Sequence, residues 1–253
     1  MSINLAVKRL RYILQECDSS NMVYNESMLK IYLLRHGKTE FNEKHIVQGW
    51  NDSPLSQTGI FQAKCAGFGA KDIHFVRAYS GDVGRHYNTA KYFLSQNEYE
   101  TEIIQDMHFR EKNYGKYEYG TYEDMLGPLF DMFNQPHGTY EDLFPFMDTI
   151  EISNELARRD ETGKGENTDQ MWERIKVGLD MIVSDNPEGN VLLSTSSNTI
   201  GVILRYLFPE DPKRELVRNC SLSVIGYENG EYSFIEYDNI DYRLIGEKHF
   251  LQQ

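Results

Sequence analysis

Short apolar runs that end abruptly in polar residues constrain the fold of this 253-residue chain more than any other feature. The run 29–34 mixes alternating and β-branched residues, as buried strands do, and then breaks into Arg35, His36 and Gly37. Similar strand-like runs occupy 75–79, 102–104 and 191–193. Stretches with helical spacing lie between or after them, at 57–68, 168–182 and 200–207. Strands that alternate with helices predict a parallel sheet covered by helices on both faces.

The last two apolar runs, 221–227 and 232–237, predict a β-hairpin. They flank Asn229 and Gly230, and Asn-Gly between alternating runs is typical of a tight hairpin turn. A hairpin at the end of an otherwise parallel order makes the sheet mixed. The sequence therefore predicts the α/β class, as a three-layer α/β/α sandwich with a mostly parallel mixed sheet.

We expect one domain over residues 29–253, because no repeat, Pro-rich linker or low-complexity block divides it. Ahead of it, Lys8, Arg9 and Arg11 stand at helical spacing among apolar residues, which predicts an N-terminal helical extension, 1–28, that packs on the domain. From about 117 to 160, aromatic, Met, Pro and acidic residues follow no clean period. We interpret that stretch as a largely helical lid insertion.

Composition limits the partners of the chain. The formal net charge of -13 argues against general nucleic-acid binding, which needs basic surface, so a phosphate ligand must meet a local basic pocket. No apolar run approaches membrane-spanning length, and the N-terminus lacks the features of a signal peptide. Three widely spaced cysteines indicate neither a disulfide framework nor a zinc site and favour a reducing cytoplasm. The oligomeric state stays open.

Residues suited to phosphoryl transfer follow three strand-like segments, whose carboxyl ends can meet at one crevice. Arg35 and His36 follow the first segment, Arg85 the second and Glu111 the third. Asp82 is predicted to cap the helix that carries Arg85, at the end of that helix that favours anions. Two guanidiniums can clamp a phosphoryl group, a neutral imidazole can attack phosphorus, and a carboxyl group can protonate the leaving oxygen. Without a magnesium-type Asp cluster or a Gly-rich nucleotide loop, this set predicts a site that needs no metal or other cofactor.

Four motifs follow one another along the chain. They are Arg-His-Gly at 35–37, a Gly-x-x-Asp-x-Pro-Leu-Ser-x-x-Gly segment at 49–59, a Ser, Arg and Thr-Ala element at 80–90, and Glu-x-x-Tyr-Gly at 111–115. Gly165, Glu166 and Arg174 fit a further motif before the late helix. This set, spread over about 29–240, resembles the histidine phosphatase superfamily, also called the phosphoglycerate mutase-like family. The resemblance implies a phosphoglycerate mutase-like fold.

The resemblance also implies roles for individual residues. His36 would become transiently phosphorylated, Arg35 and Arg85 would act on the phosphoryl group, and Glu111 would donate the proton. The implied phosphate-binding set surrounds the histidine and comprises Arg35, His36, Asn42, Gln48, Arg85, Ser196 and Ser197.

The chain departs from the family pattern after the late strand. Where the family has a second histidine followed by glycine, this chain has Ser196 and Ser197. Loss of one preorganised donor to a developing charge typically costs about 100- to 1000-fold in rate. If the rest of the pocket is intact, a Ser196→His substitution is expected to raise the rate.

Three functions follow from this reading. The first is a phosphatase of a small phosphorylated metabolite, slowed by Ser196, that acts through a phosphohistidine. The second is a phosphate-binding pseudoenzyme that keeps the anion pocket without useful turnover. The third, a phosphoglycerate mutase, is disfavoured because the region after Gly115 lacks the Leu-Asn-Lys run associated with those enzymes.

Overall fold

The computed structural model describes residues 28–210 and 216–252. Within them, one sheet contains six strands: β1 Leu29–Arg35, β2 Phe75–Ser80, β3 Ile103–Gln105, β4 Gly189–Thr195, β5 Leu222–Glu228 and β6 Glu231–Asn239. The strand order is β3-β2-β4-β1-β5-β6. The first four strands in this order are parallel, whereas β5 pairs antiparallel with both β1 and β6. The predicted mixed, mostly parallel sheet is confirmed.

Helices connect the strands and follow the last one. The described residues contain α1 Glu40–Glu43, α2 Gln57–Gly69, α3 Gly84–Leu94, α4 Tyr122–Met132, α5 Thr149–Arg159, α6 Thr168–Asp185, α7 Ser197–Leu207 and α8 Asp241–Phe250. Ser56, a residue type favoured at N-caps, caps α2 by accepting a hydrogen bond from the Gly59 N–H. Along this part of the chain, no helix combines the length and apolar character that crossing a membrane requires.

Two hydrophobic cores lie on opposite faces of the sheet, because successive side chains of a strand point to opposite sides. On one face, Leu29, Ile31 and Leu33 of β1 pack with residues of α6 and α7. On the other, Tyr32 and Leu34 pack with residues of α2, α3 and α8. The three-layer α/β/α architecture predicted from the sequence is therefore confirmed.

A third, smaller core belongs to the stretch predicted as a helical lid. The apolar sides of α4 and α5 meet there, with Leu126, Leu129, Ile152 and Leu156 among the buried side chains. Val47, from the loop after α1, joins this cluster. The lid stretch is thus anchored beside the carboxyl ends of β1 and β4.

The structure corrects the cap predicted for α3. The N-cap residue is Val83 and makes no side-chain cap bond. Asp82 instead accepts two hydrogen bonds from Arg110, at 2.6 and 2.7 Å, because a bidentate ion pair binds a carboxylate more strongly than a single backbone N–H. The carboxylate of Asp52 takes the capping role and accepts from the Arg85 N–H at 3.3 Å.

Two further differences concern the ends of the chain. Helix α8 was not predicted; Gly246 in it touches the backbone of Cys65 in α2, where a side chain would not fit. The N-terminal helical extension predicted over residues 1–28 lies, apart from its last residue, outside the described residues.

Candidate active site

The carboxyl ends of β1, β2 and β4 meet at one edge of the sheet. Arg35 lies opposite Thr195, and Ser80 lies opposite Ser194. The backbone N–H of His36 donates to the Thr195 carbonyl at 2.9 Å, so the pairing of β1 and β4 continues into the polar loop. The residues that follow these strands are therefore held side by side.

His36 has its ring fixed in one tautomer. Its Nδ1 lies 2.8 Å from the Gly37 carbonyl oxygen, which can only accept a hydrogen bond, so Nδ1 carries the hydrogen and Nε2 keeps a lone pair. Burial, followed by the charges of Arg85 and Arg35, holds the pKa of His36 well below its usual value. The imidazole is therefore neutral and can act as a nucleophile through Nε2.

The loop that carries His36 is packed too closely for side chains at two glycines. A Cβ on Gly37 would overlap the backbone of Gly59, at the N-terminus of α2, and a Cβ on Gly59 would overlap the backbone of Lys38. The Gly37 N–H also donates to the Thr89 hydroxyl of α3 at 3.0 Å. Two helices thus fix the backbone beside His36.

A cavity open to solvent lies beside His36 and contains about 600 Å³ of empty space, part of it open solvent. Six of the predicted site residues line it: Arg35, His36, Asn42, Gln48, Glu111 and Ser197. Its wall also includes residues that sequence reasoning did not single out, among them Tyr114, Tyr122, Tyr140 and Asn198. Arg85 and Ser196 are not in the lining and lie buried behind it.

Arg35 and Arg85 differ in their placement relative to the cavity and in their hydrogen-bond partners. Arg35 lines the cavity and donates through Nη1 to the Val217 carbonyl. Arg85 donates through Nη1 to the Asn51 carbonyl at 2.7 Å and to Asp52 at 3.0 Å, and through Nη2 to the Gly49 carbonyl at 2.7 Å. The bidentate clamp expected of Arg85 is thus not free, because the loop 49–52 occupies its terminal nitrogens.

Glu111 lies at the N-terminus of α7. Its carboxylate accepts from the Lys112 N–H at 2.6 Å and from the Asn198 N–H at 3.1 Å. Burial raises the pKa of Glu111, while these two hydrogen bonds and the charges of Arg85 and Arg174 act in the opposite direction. The carboxyl group therefore holds a proton more readily than an exposed glutamate does.

Arg174 positions the segment before Glu111. Its guanidinium donates to the carbonyls of His108, Arg110 and Glu111, each at 2.9 Å. It also pairs with Glu166 at 2.7 Å. This fan of hydrogen bonds fixes the backbone on which the candidate proton donor stands.

The two serines after β4 have different surroundings. Ser196 occupies the N-cap position of α7 but makes no cap bond, and its Oγ lies 2.6 Å from Nε2 of His86. Ser197 lines the cavity, and its buried Oγ has no hydrogen-bond partner among the described residues. Sequence reasoning missed His86. The only signal in the sequence was its position directly after Arg85.

A model of the histidine phosphatase superfamily (branch 1) matches residues 31–240. The chain belongs to the histidine phosphatase superfamily. The family predicted from the motifs is thereby confirmed, and the residues described above lie within the matched range.

Relatives in this superfamily carry the names of both mutases and phosphatases. The probable phosphoglycerate mutase GpmB of Escherichia coli O1:K1 is 28% identical over 206 residues, covering 79% of this chain and 86% of that protein. A phosphoglycerate mutase from Bacillus anthracis superposes with a TM-score of 0.78 at 30% identity, over 88% of this chain and 98% of that one. A mycobacterial glucosyl-3-phosphoglycerate phosphatase, solved in complex with VO3, has a TM-score of 0.62 at 18% identity, over 83% and 98% of the two chains, and is similar in fold alone.

Proposed function

We propose that this histidine phosphatase superfamily member hydrolyses phosphate monoesters of small metabolites through a phosphohistidine at His36. The observation that carries the proposal is a set of buried N–H and O–H donors that lack acceptors among the described residues and belong to residues whose charge acts on His36 or that line its cavity. They are Nε of Arg35, Nε of Arg85 and Oγ of Ser197. Buried donors are rarely left unpaired, and a phosphoryl group offers the oxygens that would satisfy them.

The first step transfers the phosphoryl group to the histidine. The lone pair of His36 Nε2 forms the N–P bond as the bond from phosphorus to the ester oxygen breaks, and Glu111 gives its proton to the departing alkoxide. The raised pKa of Glu111 supports this role, since the group must be protonated before it can donate. Arg35, on the cavity wall, offsets the charge of the phosphoryl oxygens.

The second step returns the enzyme to its starting state. The Glu111 carboxylate accepts a proton from water, the water oxygen forms a bond to phosphorus, and the N–P bond breaks. Inorganic phosphate leaves, with His36 neutral and Glu111 protonated again. No atom or charge is left over at the end of this cycle.

The cavity wall favours an ester with an apolar or planar organic part. Tyr114, Tyr122 and Tyr140 line it together with Val47, Met125 and Leu126. Among the charged residues in this lining, Arg35 is the cation and Glu111 the anion. Within the described part of this lining, no second cation accompanies Arg35 to pair with the carboxylate of phosphoglycerate.

Two observations favour the alternative of a phosphate-binding protein without useful turnover. The terminal nitrogens of Arg85 are bound to the loop 49–52, and the second family histidine is replaced by Ser196. Both features reduce the positive charge that can stabilise a phosphoryl-transfer transition state. They leave Arg35 and His36 in place at the cavity.

The test measures turnover of p-nitrophenyl phosphate and a panel of natural phosphate esters. We expect hydrolysis by the wild-type protein and, because no other side chain replaces the nucleophile, none by His36→Ala. An acid-labile phosphoenzyme formed from labelled substrate is expected in the wild type alone. His74→Ala, which alters an exposed histidine whose ring packs tilted against Tyr99, is the matched control and is expected to retain wild-type activity.

The outcomes separate the candidate functions. Orthovanadate binding without turnover of any ester would support the phosphate-binding protein. Interconversion of 2- and 3-phosphoglycerate that needs 2,3-bisphosphoglycerate would support a mutase. Full activity of His36→Ala would overturn the phosphohistidine mechanism.

A further inference from the structure

A second buried imidazole stands beside the nucleophile. The rings of His86 and His36 have centroids 5.5 Å apart, and His86 is fully buried near the start of α3. Its Nε2 lies 2.6 Å from Ser196 Oγ, while its buried Nδ1 has no hydrogen-bond partner among the described residues. The steps proposed above for His36 and the cavity residues give His86 no role.

The surrounding backbone is shaped to hold the His86 ring. A Cβ on Gly81 would overlap its Nδ1, so the glycine after β2 provides the space for the ring. The Ser194 hydroxyl donates to the His86 carbonyl at 2.8 Å and ties the histidine to β4. The imidazole is therefore held against the residue that replaces the second family histidine.

We propose that His86 and Ser196 act as one unit, in which His86 Nε2–H donates to Ser196 Oγ and the Ser196 hydroxyl donates to a phosphoryl oxygen. The inference rests on the proposed function. His86 acts through Ser196 and is thus a positioning residue, whereas Ser196, which lies buried behind the cavity wall next to the lining residue Ser197, is the member of the pair that would reach the transferred group. The imidazole lost from position 196 is replaced by one that reaches the same wall from α3.

The groups around His86 explain how the unit responds to an anion. Burial, followed by the charges of Arg85, His36 and Arg174, holds the pKa of His86 well below its usual value. These residues come from α3, from the end of β1 and from α6. A phosphoryl dianion brings the opposite charge and shifts the pKa of His86 upward, which favours the protonated form of His86 when the anion binds. The protonated ring has to donate through Nε2, which orients the Ser196 hydroxyl toward the anion.

The pair also changes the expectation for Ser196→His. With His86 Nε2 only 2.6 Å from the serine oxygen, the larger ring at position 196 would meet the His86 ring in a fully buried space. The single substitution is therefore expected to lower activity. The exchange variant His86→Ala/Ser196→His, which makes room for the new imidazole, is expected to recover part of the loss.

A double-mutant cycle tests the unit. With p-nitrophenyl phosphate, His86→Ala and Ser196→Ala are each expected to lower kcat/KM by about 100-fold. The double variant is expected to be no slower than either single one, because residues that act as a unit are not additive. His86→Gln keeps a donor to Ser196 and is expected to retain more activity than His86→Ala.

Proton uptake gives a readout that a structural role would not move. Calorimetric titration with orthovanadate in buffers of different ionisation enthalpy counts the protons taken up, and His86→Gln is expected to take up fewer than the wild type. Protonation of the vanadate itself contributes equally to both proteins. Phe93→Leu alters another fully buried ring of α3, within the core that covers the sheet, and is expected to lower Tm without changing proton uptake.

Failure of this inference is distinguishable from failure of the proposed function. Additive losses in the double-mutant cycle, together with equal proton uptake by wild type and His86→Gln, would overturn the proposal that His86 and Ser196 act as one unit. If turnover still depended on His36, the proposed phosphatase function would stand. If the wild type binds orthovanadate but hydrolyses no ester, hydrolysis is overturned and proton uptake still decides the role of His86. Absence of both binding and turnover would overturn both proposals.

Discussion

At the residue scale, the site combines motif residues with contacts that only the fold creates. His36 and Glu111 were singled out because they follow strand-like segments and fit the superfamily's motifs. His86 escaped notice because its partner Ser196 is 110 residues away in the chain. The engagement of Arg85 by carbonyls of the loop 49–52 was equally unpredictable, since a sequence does not show where backbone carbonyls point.

Glu111→Gln is expected to slow hydrolysis according to the basicity of the leaving group. The amide cannot protonate an alkoxide, so kcat for alkyl phosphates should fall by about 100- to 10000-fold. The loss should be much smaller for p-nitrophenyl phosphate, whose leaving group needs little protonation. Because burial raises the pKa of Glu111, the wild-type rate with alkyl phosphates should fall as pH rises through that pKa, at a higher pH than for an exposed glutamate.

Steady-state kinetics with matched alkyl and aryl esters checks the role of Glu111. Glu161→Gln, at an exposed residue after α5, is the control for the change of charge. Equal losses for both leaving groups would show that Glu111 holds the backbone of α7 rather than donating a proton.

At the scale of elements, one buried lysine connects the site with the lid. Lys112 is 1% exposed, and its Nζ donates to both the carbonyl and, at 2.7 Å, the hydroxyl of Ser153 in α5. Burial lowers the pKa of Lys112 to about 7, although Glu111 and Glu166 act in the opposite direction. The contact between lid and active site therefore contains a group that changes charge near neutral pH.

Lys112→Met is expected to remove a pH dependence of stability. Between a pKa of about 7 in the folded state and the ordinary lysine value of 10.5, the unfolded chain binds more protons, so this group makes the wild type more stable as pH rises. Below about 7 both states are protonated and the contribution is constant. The stability of Lys112→Met relative to wild type should therefore be greatest near pH 6 and decline toward about pH 9.

Urea unfolding at a series of pH values measures this difference. Lys116→Met is the control, because the Lys116 side chain is 35% exposed and its charge lies near solvent. A stability difference that does not change with pH would mean that Lys112 remains charged in the folded protein throughout.

Local chemistry decided which elements could be predicted. Ser56 marks the start of α2, and the turn at Asn229 and Gly230 has φ values of 52° and 88°, as a type I′ hairpin requires. The cap of α3 could not be predicted, because Asp82 had a distant partner, Arg110, that binds it more strongly than the helix does. Helix α8 has exposed Leu244 and Ile245, which blur the apolar periodicity that would have revealed it.

At the scale of the whole molecule, the parallel sheet followed from the order of strand-like and helical segments, and the site followed from the sheet. The net charge of -13 adds a property that no local contact shows. A field of this sign repels dianionic esters until they come close to Arg35 in the cavity.

We therefore expect kcat/KM for a dianionic ester to rise with ionic strength. Between about 0.01 M and 0.15 M salt the Debye length shrinks from about 30 to 8 Å, which screens the distant acidic surface more than the adjacent Arg35. Stopped-flow measurements in sodium chloride and in potassium glutamate separate screening from competition by chloride. A decrease in both salts would show that the local basic pocket dominates the approach.

Gly81 and His86 together limit which substitutions the site accepts at position 196. An imidazole at position 86 requires that position 81 carry no side chain, and it conflicts with a second imidazole at position 196. A histidine at position 196 is therefore accessible by a single substitution only in a chain whose residue 86 is smaller than histidine.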